Sequence, residues 1–266
     1  MALWHLLLLA ILQGATEFLP VSSSGHLVLV PALIGLEDQG TFLDVAVHVG
    51  SLGAVVLYFR RDVAAALRGT LGLLRGARGP EERLALGLLV ATVPVIAAGI
   101  AIKLALGTDA LRSVALIGWS TLLFGLLLGA ADLRRPEVRA TTDWTLRDAV
   151  IFGLWQAVAL IPGTSRSGIV ITGARFLNYT REDAARLSML MSIPTILASG
   201  AVLMLDVVGE ADWALATDGA IAALFSFLAA LLALALMMRL LRSISFLPYV
   251  LYRIVLGLGL LAWAYS

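Results

Sequence analysis

Long apolar stretches separated by short polar connections dominate this chain. Six of them are long enough to cross a membrane as helices, at about 20 mostly apolar residues per crossing. These predicted spans are residues 42–59, 84–107, 111–131, 187–205, 219–238 and 246–265. The pattern predicts an all-α integral membrane protein with six transmembrane helices, forming a single membrane domain over residues 1–266.

Two further apolar stretches, residues 2–34 and 149–174, are each interrupted about midway. The first interruption, at residues 19–25, reads LPVSSSG, and the second, at residues 162–168, reads PGTSRSG. Backbone groups freed at such breaks need polar partners inside a membrane, so the breaks cannot face lipid. We therefore predict two re-entrant helical hairpins. A signal peptide is the alternative for the first stretch, but the stretch lacks a basic n-region before its apolar run and no clear cleavage site follows.

Composition supports the membrane assignment and excludes several kinds of function. Hydrophobic residues make up 60% of the chain and charged residues 14%, against roughly 25% charged in soluble domains. The 19 Lys and Arg nearly balance the 18 Asp and Glu, so no basic excess attracts nucleic acid. The chain has no cysteine, which excludes disulfides, thiolate metal sites and cysteine nucleophiles.

The charges in the connections are distributed unevenly. Residues 60–83 and 132–148 are rich in arginine, whereas residues 32–44 and 206–218 contain acidic residues and no Lys or Arg. The positive-inside rule places the arginine-rich connections in the cytoplasm. All six spans then alternate in direction, and both termini lie outside.

An internal repeat relates the two interrupted stretches. A shift of 143 residues superimposes four identical pairs, which are Gln13 with Gln156, Ser22 with Ser165, Ser24 with Ser167 and Gly25 with Gly168. The charged connections flanking the two hairpins have opposite sign, which predicts an inverted-topology repeat. Its halves are about 1–131 and 149–266, joined by the cytoplasmic connection 132–148. In such folds the broken helices build a polar site near the membrane midplane. Chance matching of small residues is the alternative.

Ionisable residues within membrane segments are costly and are therefore functional candidates. Glu17 lies four residues after Gln13, so the two side chains share a helix face and could hold one ligand or one divalent cation through oxygen. His26 follows the first break and could transfer a proton. Arg166 lies in the second break, and its planar guanidinium suits phosphate oxygens.

Neutral donors at the two breaks complete a predicted anion-binding site. The predicted substrate-binding residues are Gln13, Ser22, Ser24, Gly163, Ser165, Ser167 and Thr172. A carboxylate, an imidazole, an arginine and hydroxyl groups together suit phosphoryl transfer. Two structural alternatives stay open: Glu17 and Arg166 could simply pair and join the hairpins, and the serines could simply cap helices.

These motifs resemble those of the bacterial undecaprenyl-diphosphate phosphatases, the bacitracin-resistance family. Residues 13–26 (QGATEFLPVSSSGH) resemble the family's (E/Q)xxxE…SSxGH signature, and residues 162–168 (PGTSRSG) resemble its PGxSRS motif. Residues 242–253 (RSISFLPYVLYR) are similar to its C-terminal RxSFxPxxxYR stretch. The resemblance covers essentially the whole chain, with the motifs in the family's order.

The resemblance implies hydrolysis of undecaprenyl diphosphate to undecaprenyl phosphate and inorganic phosphate, which recycles the lipid carrier for peptidoglycan synthesis and confers bacitracin resistance. It implies a multi-pass protein of the bacterial plasma membrane, with its active site toward the outer, periplasmic side. The implied partners are the polyprenyl diphosphate substrate and membrane lipid; the oligomeric state stays open, with a homodimer among the options. The implied cofactor is Mg²⁺ or Ca²⁺.

The family's catalytic residues correspond to four positions here, Glu17, Ser23, His26 and Arg166. Its cation-binding pair corresponds to Gln13 and Glu17, and because glutamine carries no charge, cation binding would rest mainly on Glu17. Many members carry a threonine where this chain has Val170; the nearest hydroxyl is that of Thr172.

Two points stay open at this stage. The nucleophile could be Ser23, a water molecule or His26. Inverted repeats with broken helices are also the architecture of secondary transporters, so an anion transporter or a lipid flippase is the alternative function. A purely structural scaffold would leave Glu17, His26 and Arg166 without a role.

Overall fold

The computed structural model describes residues 3–23, 25–27, 29, 40–105, 113–207 and 213–266. Within these ranges there is no strand, only an isolated bridge between Arg139 and Tyr179. The helices are α1 (Leu3–Glu17), α2 (Thr41–Tyr58), α3 (Arg60–Leu74), α4 (Pro80–Ala105), α5 (Val114–Arg134), α6 (Leu146–Val158), α7 (Arg166–Phe176), α8 (Arg181–Val207), α9 (Trp213–Leu240) and α10 (Leu247–Tyr265). The predicted all-α class is confirmed.

Five of these helices, α4, α5, α8, α9 and α10, are long and apolar enough to cross a membrane. Helix α2 adds a sixth crossing when it is counted together with α3, which bends away from it by 90°. The structure therefore supports a multi-pass protein with five or six crossings. Of the acidic connections predicted at 32–44 and 206–218, residues 32–39 and 208–212 lie outside the described residues.

The predicted connection 60–83 begins with a helix that the sequence analysis did not predict. Residues 60–74 form α3, and its leucines Leu67, Leu71 and Leu74 line one exposed face at helical spacing. The arginines at the start of the segment lower its mean hydropathy below that of a span. A short amphipathic helix was therefore hidden by its charge.

Both predicted hairpins are interrupted where the sequence indicates. Ser22 and Ser165 both have a positive, left-handed φ, of 76° and 68°. Each caps the helical segment that follows: the Ser22 hydroxyl accepts from the Gly25 amide (3.4 Å) and the Ser165 hydroxyl from the Gly168 amide (3.2 Å). A left-handed serine is uncommon, so its occurrence at both breaks gives them the same local structure.

The helix before each break packs closely against a helix that is distant in the sequence. Helix α1 packs against α9, and α6 packs against α4. Glycine permits both crossings. A Cβ added at Gly14 would lie 2.3 Å from the Ser226 carbonyl oxygen, and one at Gly153 would lie 2.5 Å from that of Ala91. Any larger residue at these two glycines would push the hairpin arm away from its partner.

The outer surface of the helices is apolar, as a lipid environment requires. On α9, Leu224, Leu228, Leu232 and Leu236 form a stripe at four-residue spacing, and each is at least half exposed. The interior holds Phe18, Phe152 and Leu234, all fully buried in one continuous core. A soluble protein rarely exposes so regular an apolar stripe, so the packing agrees with the membrane assignment.

A buried ionic cluster joins the helices at the arginine-rich side. Asp132, at the end of α5, accepts from Arg175 Nε (3.1 Å) and from Arg181 Nε (2.7 Å). Its second oxygen accepts from the backbone amide of Phe246 (2.9 Å), just before α10. Asp132 and Arg175 are almost completely buried. One carboxylate thus fixes the ends of four helices, α5, α7, α8 and α10.

A second polar cluster fixes the connection to α6. The Asp148 carboxylate accepts from Arg139, Thr145 and Tyr179. Burial raises the pKa of the Asp148 carboxyl, but the hydrogen bonds from Arg139, Thr145 and Tyr179 outweigh it and hold that pKa below its usual value. Burial and the Asp148 contact raise the pKa of the Tyr179 hydroxyl, which therefore stays a donor.

The lowered pKa of Asp148 makes stability depend on pH in a definite direction. Its contribution is complete above the ordinary aspartate pKa of about 3.9 and is lost as the pH falls through the lower folded-state value. We expect Asp148→Asn to lower the free energy of unfolding by about 2 kcal/mol at pH 7, and the difference from the unchanged protein to shrink below about pH 4. Thermal unfolding in detergent at both pH values measures this. The exposed Glu182 provides the control, Glu182→Gln; an unchanged melting temperature for Asp148→Asn at pH 7 would contradict the assignment.

Candidate active site

The polar residues predicted from the two breaks meet at Glu17, the last residue of α1. Its Oε1 accepts from Arg166 Nη2 at 2.6 Å, which joins the two hairpins. Its Oε2 accepts from Gln13 Nε2 and from Ser23 Oγ, both at 2.8 Å. The side chain of Glu17 is only 7% exposed and that of Arg166 14%. Four of the predicted residues thus form one buried cluster.

The local sequence explains why these side chains converge. Gln13 and Glu17 are four residues apart on α1, so they lie on one face of the helix. The chain then turns, and Ser23 opens the helical segment after the capping residue Ser22. Arg166 is likewise the first residue of α7, directly after the capping residue Ser165. Ser23 and Arg166 therefore occupy equivalent positions after the two breaks and approach the same carboxylate.

Two atoms of this cluster have unused bonding capacity within the described part of the chain. Arg166 Nη1 and Gln13 Oε1 are both buried and have no hydrogen-bond partner there. An unpaired buried polar atom costs about 1–3 kcal/mol, so both atoms retain the capacity to bond a ligand. The free guanidinium N–H suits an anion, and the free amide oxygen suits a cation.

The residues present fit a hard divalent cation bound together with a phosphate. The described residues contain no group of three or more His, Cys, Asp or Glu side chains that could hold a metal alone. Mg²⁺ commonly takes one or two protein oxygens and fills its remaining positions with water and substrate phosphate oxygens. The Glu17 carboxylate and the unpaired Gln13 Oε1 supply oxygens of that kind.

His26 contacts a different set of atoms. Its Nδ1 lies 2.6 Å from the Ser22 carbonyl oxygen, which can only accept, so Nδ1 carries a proton. In the neutral imidazole Nε2 is then an acceptor, and the Tyr252 hydroxyl donates to it. The two rings are also stacked, with centroids 5.7 Å apart. Tyr252 and the Ser22 backbone thus fix the orientation of His26.

We expect removal of the Tyr252 hydroxyl to affect this histidine without disturbing the fold. Tyr252→Phe leaves the ring stacking in place and deletes one hydrogen bond, worth about 1 kcal/mol. The turnover number for phosphate release should therefore fall roughly 5-fold. Steady-state kinetics measures the effect, with Tyr58→Phe on α2 as the matched control. A Tyr252→Phe turnover equal to that of the control would show that the contact does not orient a working histidine.

The remaining predicted residues lie near the cluster but mostly bond to the protein itself. Ser167 Oγ donates to the Leu19 carbonyl oxygen at 3.0 Å, between the two breaks. The Gly163 carbonyl oxygen accepts from Thr121 Oγ1 at 3.2 Å. Thr172 donates to the Gly168 carbonyl oxygen of its own helix, and Ser24 lies outside the described residues. Substrate contacts for Ser22, Ser24, Gly163, Ser165, Ser167 and Thr172 stay predictions.

The predicted site leaves out three residues that the structure brings to the two breaks. His48 Nε2 lies 3.8 Å from Glu17 Oε2, and its side chain is 36% exposed. Its four-residue spacing from Asp44 was the available signal. Tyr252 and Arg253 contact the region of both breaks from α10. They are the last two residues of the C-terminal motif, but nothing in that motif indicates which side chains face inward.

Comparison with known proteins decides the family. The family model described as bacitracin resistance protein BacA matches residues 6–259. This chain belongs to that family. Among its relatives, proteins named undecaprenyl-diphosphatase from Ruegeria pomeroyi and Dinoroseobacter shibae are 64% and 63% identical, each over 100% of both chains. One named undecaprenyl-diphosphatase 1 from Rhodospirillum rubrum is 46% identical over 100% of this chain and 96% of its own. The family predicted from the motifs is confirmed.

Proposed function

We propose that this protein is an undecaprenyl-diphosphatase of the bacterial plasma membrane. It hydrolyses undecaprenyl diphosphate to undecaprenyl phosphate and inorganic phosphate, which recycles the lipid carrier for peptidoglycan synthesis and confers bacitracin resistance. The observation that carries the proposal is the Glu17–Arg166 pair, which joins two broken helices and leaves Arg166 Nη1 unpaired within the described chain. Full-length relatives with that name support the substrate.

Arg166 has the geometry to bind the transferred phosphate. Its Nη2 is held by Glu17, which fixes the plane of the guanidinium, while the unpaired Nη1 is available to a phosphate oxygen. A guanidinium placed in a poorly solvated site stabilises the charge that develops during phosphoryl transfer. Arg166 therefore both binds the diphosphate and stabilises the transition state.

Ser23 is better placed than His26 to act as the nucleophile. Its hydroxyl already donates to Glu17 Oε2 at 2.8 Å, so the carboxylate can take its proton as the oxygen attacks the terminal phosphorus. The bond to the lipid-phosphate oxygen breaks, and undecaprenyl phosphate leaves. Water then hydrolyses the phosphoserine. His26, whose Nε2 accepts from the Tyr252 hydroxyl, has the role of transferring a proton.

A divalent cation, Mg²⁺ or Ca²⁺, belongs to this proposal as the cofactor. Glu17 and Gln13 Oε1 would hold it, with phosphate oxygens of the substrate completing its coordination. When bound, it neutralises charge on the diphosphate. Gln13 also donates its amide N–H to Glu17, which orients the carboxylate both for binding the cation and for accepting the proton of Ser23.

The proposed topology is an inverted repeat of residues 1–131 and 149–266, with the arginine-rich connections in the cytoplasm. Three features support it: the matching backbone of Ser22 and Ser165, the packing of each hairpin arm on a helix of the other half, and the buried Gln13 and Gln156, whose amide oxygens are both unpaired in the described chain. His48, whose side chain is 36% exposed, lies four residues after Asp44 in α2, which supports access from the outer side. A homodimer stays a prediction, which light scattering of the purified protein tests.

Phosphate release from undecaprenyl diphosphate tests the proposed function. Purified protein in detergent should release inorganic phosphate in the presence of Mg²⁺ or Ca²⁺. An excess of chelator should lower the rate at least about 100-fold, since the cation neutralises transition-state charge. Adding the cation back should restore the rate. Folded protein that releases no phosphate but moves the lipid between leaflets of a vesicle would contradict the proposal and favour a flippase.

A further inference from the structure

Helix α10 carries a buried arginine that the proposed reaction does not use. Arg253 is fully buried, and its guanidinium donates only to backbone carbonyl oxygens. The contacts are Nε to Thr121 (3.2 Å), Nη1 to Pro20 (3.5 Å), and Nη2 to Gly163 (3.2 Å) and Thr164 (2.8 Å). No carboxylate forms an ion pair with it within the described residues. Such a cation is costly inside a membrane protein, so its placement calls for an explanation.

Three of the four carbonyl groups that Arg253 contacts belong to the two breaks, and the fourth, that of Thr121, lies in α5. Pro20 lies between Glu17 and Ser23 in the first break, and Gly163 and Thr164 precede Arg166 in the second. Helix interruptions leave carbonyl groups without intrahelical partners, and lipid cannot supply donors. Arg253 provides donors to both breaks at once, because its five N–H groups diverge from one rigid plane.

The surroundings of Arg253 are shaped to hold its side chain. A Cβ added at Gly168 would lie 2.8 Å from Arg253 Nη1, and one added at Gly125 would lie 2.8 Å from its Cβ. Ser120 and Thr121 of α5 donate to the Pro162 and Gly163 carbonyl oxygens beside it. The space that holds the Arg253 side chain is therefore formed by glycines on two helices and by hydroxyl groups of α5 that donate to the second break.

We infer that Arg253 is a positioning residue that holds the two breaks in register and so sets the contact between Glu17 and Arg166. It acts through backbone carbonyl groups rather than on the substrate. This inference rests on the proposed function for its kinetic consequence, but its structural part is independent of it. A shift of about 1 Å between reacting groups can cost roughly 100-fold in rate, so a loosened contact between the breaks should appear in the turnover number.

Arg253→Lys tests the effect of the hydrogen bonds separately from that of the charge. Lysine keeps the positive charge but cannot direct N–H groups at four carbonyl oxygens together. We expect a turnover number roughly 10- to 100-fold lower, with KM changed less than about 3-fold. Amide hydrogen exchange should rise at both breaks, in peptides covering residues 18–25 and 160–168. The exposed Arg242 provides the matched control, Arg242→Lys, which should change neither readout.

Gly168→Ala provides a second variant that leaves Arg253 intact but crowds its Nη1. Like Arg253→Lys, it should raise amide hydrogen exchange at both breaks and lower the turnover number. The inference can therefore still be tested if one of the two variants fails to fold. A normal turnover number in folded Arg253→Lys would overturn the inference. So would lower turnover with unchanged exchange at both breaks, since that would place Arg253 on the substrate. If the unchanged protein released no phosphate, the exchange result alone would still confirm or refute the positioning role.

Discussion

Replacing Arg166 with alanine should lower the rate of phosphate release about 100- to 1,000-fold, the usual cost of losing one preorganised donor at a developing negative charge. Arg166 is the residue of the second hairpin that contacts Glu17, and its Nη1 is the buried donor left unpaired within the described chain. Arg166→Lys should recover only part of the rate, because lysine keeps the charge but loses the planar pair of donors. Steady-state assays with the lipid diphosphate measure both variants.

The control for this experiment is Arg78→Ala, which removes an exposed arginine from the connection before α4. It should leave the rate unchanged and so exclude a general effect of lost positive charge. Folded Arg166→Ala that retains more than about one third of the unchanged rate, a barrier change under about 0.7 kcal/mol, would contradict the role assigned to Arg166.

Replacing Glu17 with glutamine should have two separate effects. The side chain keeps its shape but loses its charge, so Ser23 loses the group that takes its proton. General-base catalysis is typically worth 100- to 10,000-fold, and we expect the rate of phosphate release to fall at least about 100-fold. The variant also leaves Arg166 largely buried without a counter-charge. Since breaking a buried pair costs about 3–5 kcal/mol, unfolding in detergent should occur at a clearly lower temperature.

Comparing the rate of phosphate release with the unfolding temperature shows whether the Glu17–Arg166 pair acts in the reaction or only in the structure. Glu182→Gln, at a half-exposed ion pair with Arg242, is the matched control and should change neither rate nor stability. If Glu17→Gln loses stability but keeps its rate, Glu17 and Arg166 only join the hairpins. That result would remove the central element of the proposed mechanism.

The sequence was sufficient to predict features that depend on residues close together in the chain. The four-residue separation of Gln13 and Glu17 predicted a shared helix face, and the structure joins their side chains. The two runs of Pro, Gly and Ser predicted breaks in apolar helices, and both breaks lie where expected. The repeat also indicated that Arg166 belongs with the first hairpin, and it contacts Glu17 directly.

The sequence was insufficient where a contact joins distant segments. Arg253 reaches Pro20 and Thr164, and nothing local in α10 indicates which of its side chains faces the interior. His48 approaches Glu17 from α2 because of how α1 and α2 pack; its spacing from Asp44 indicates a shared helix face but not this neighbour. Helix α3 was missed for a different reason, since its arginines made residues 60–74 resemble a connection.

One measurement tests the central claim most directly. The rate of phosphate release from undecaprenyl diphosphate should be determined for the unchanged protein, Glu17→Gln, Arg166→Gln and the double variant. If the pair acts as one catalytic unit, the double variant should be about as slow as the slower single variant, because effects within such a unit are far from additive. Losses that multiply would contradict the account by showing that Glu17 and Arg166 act independently.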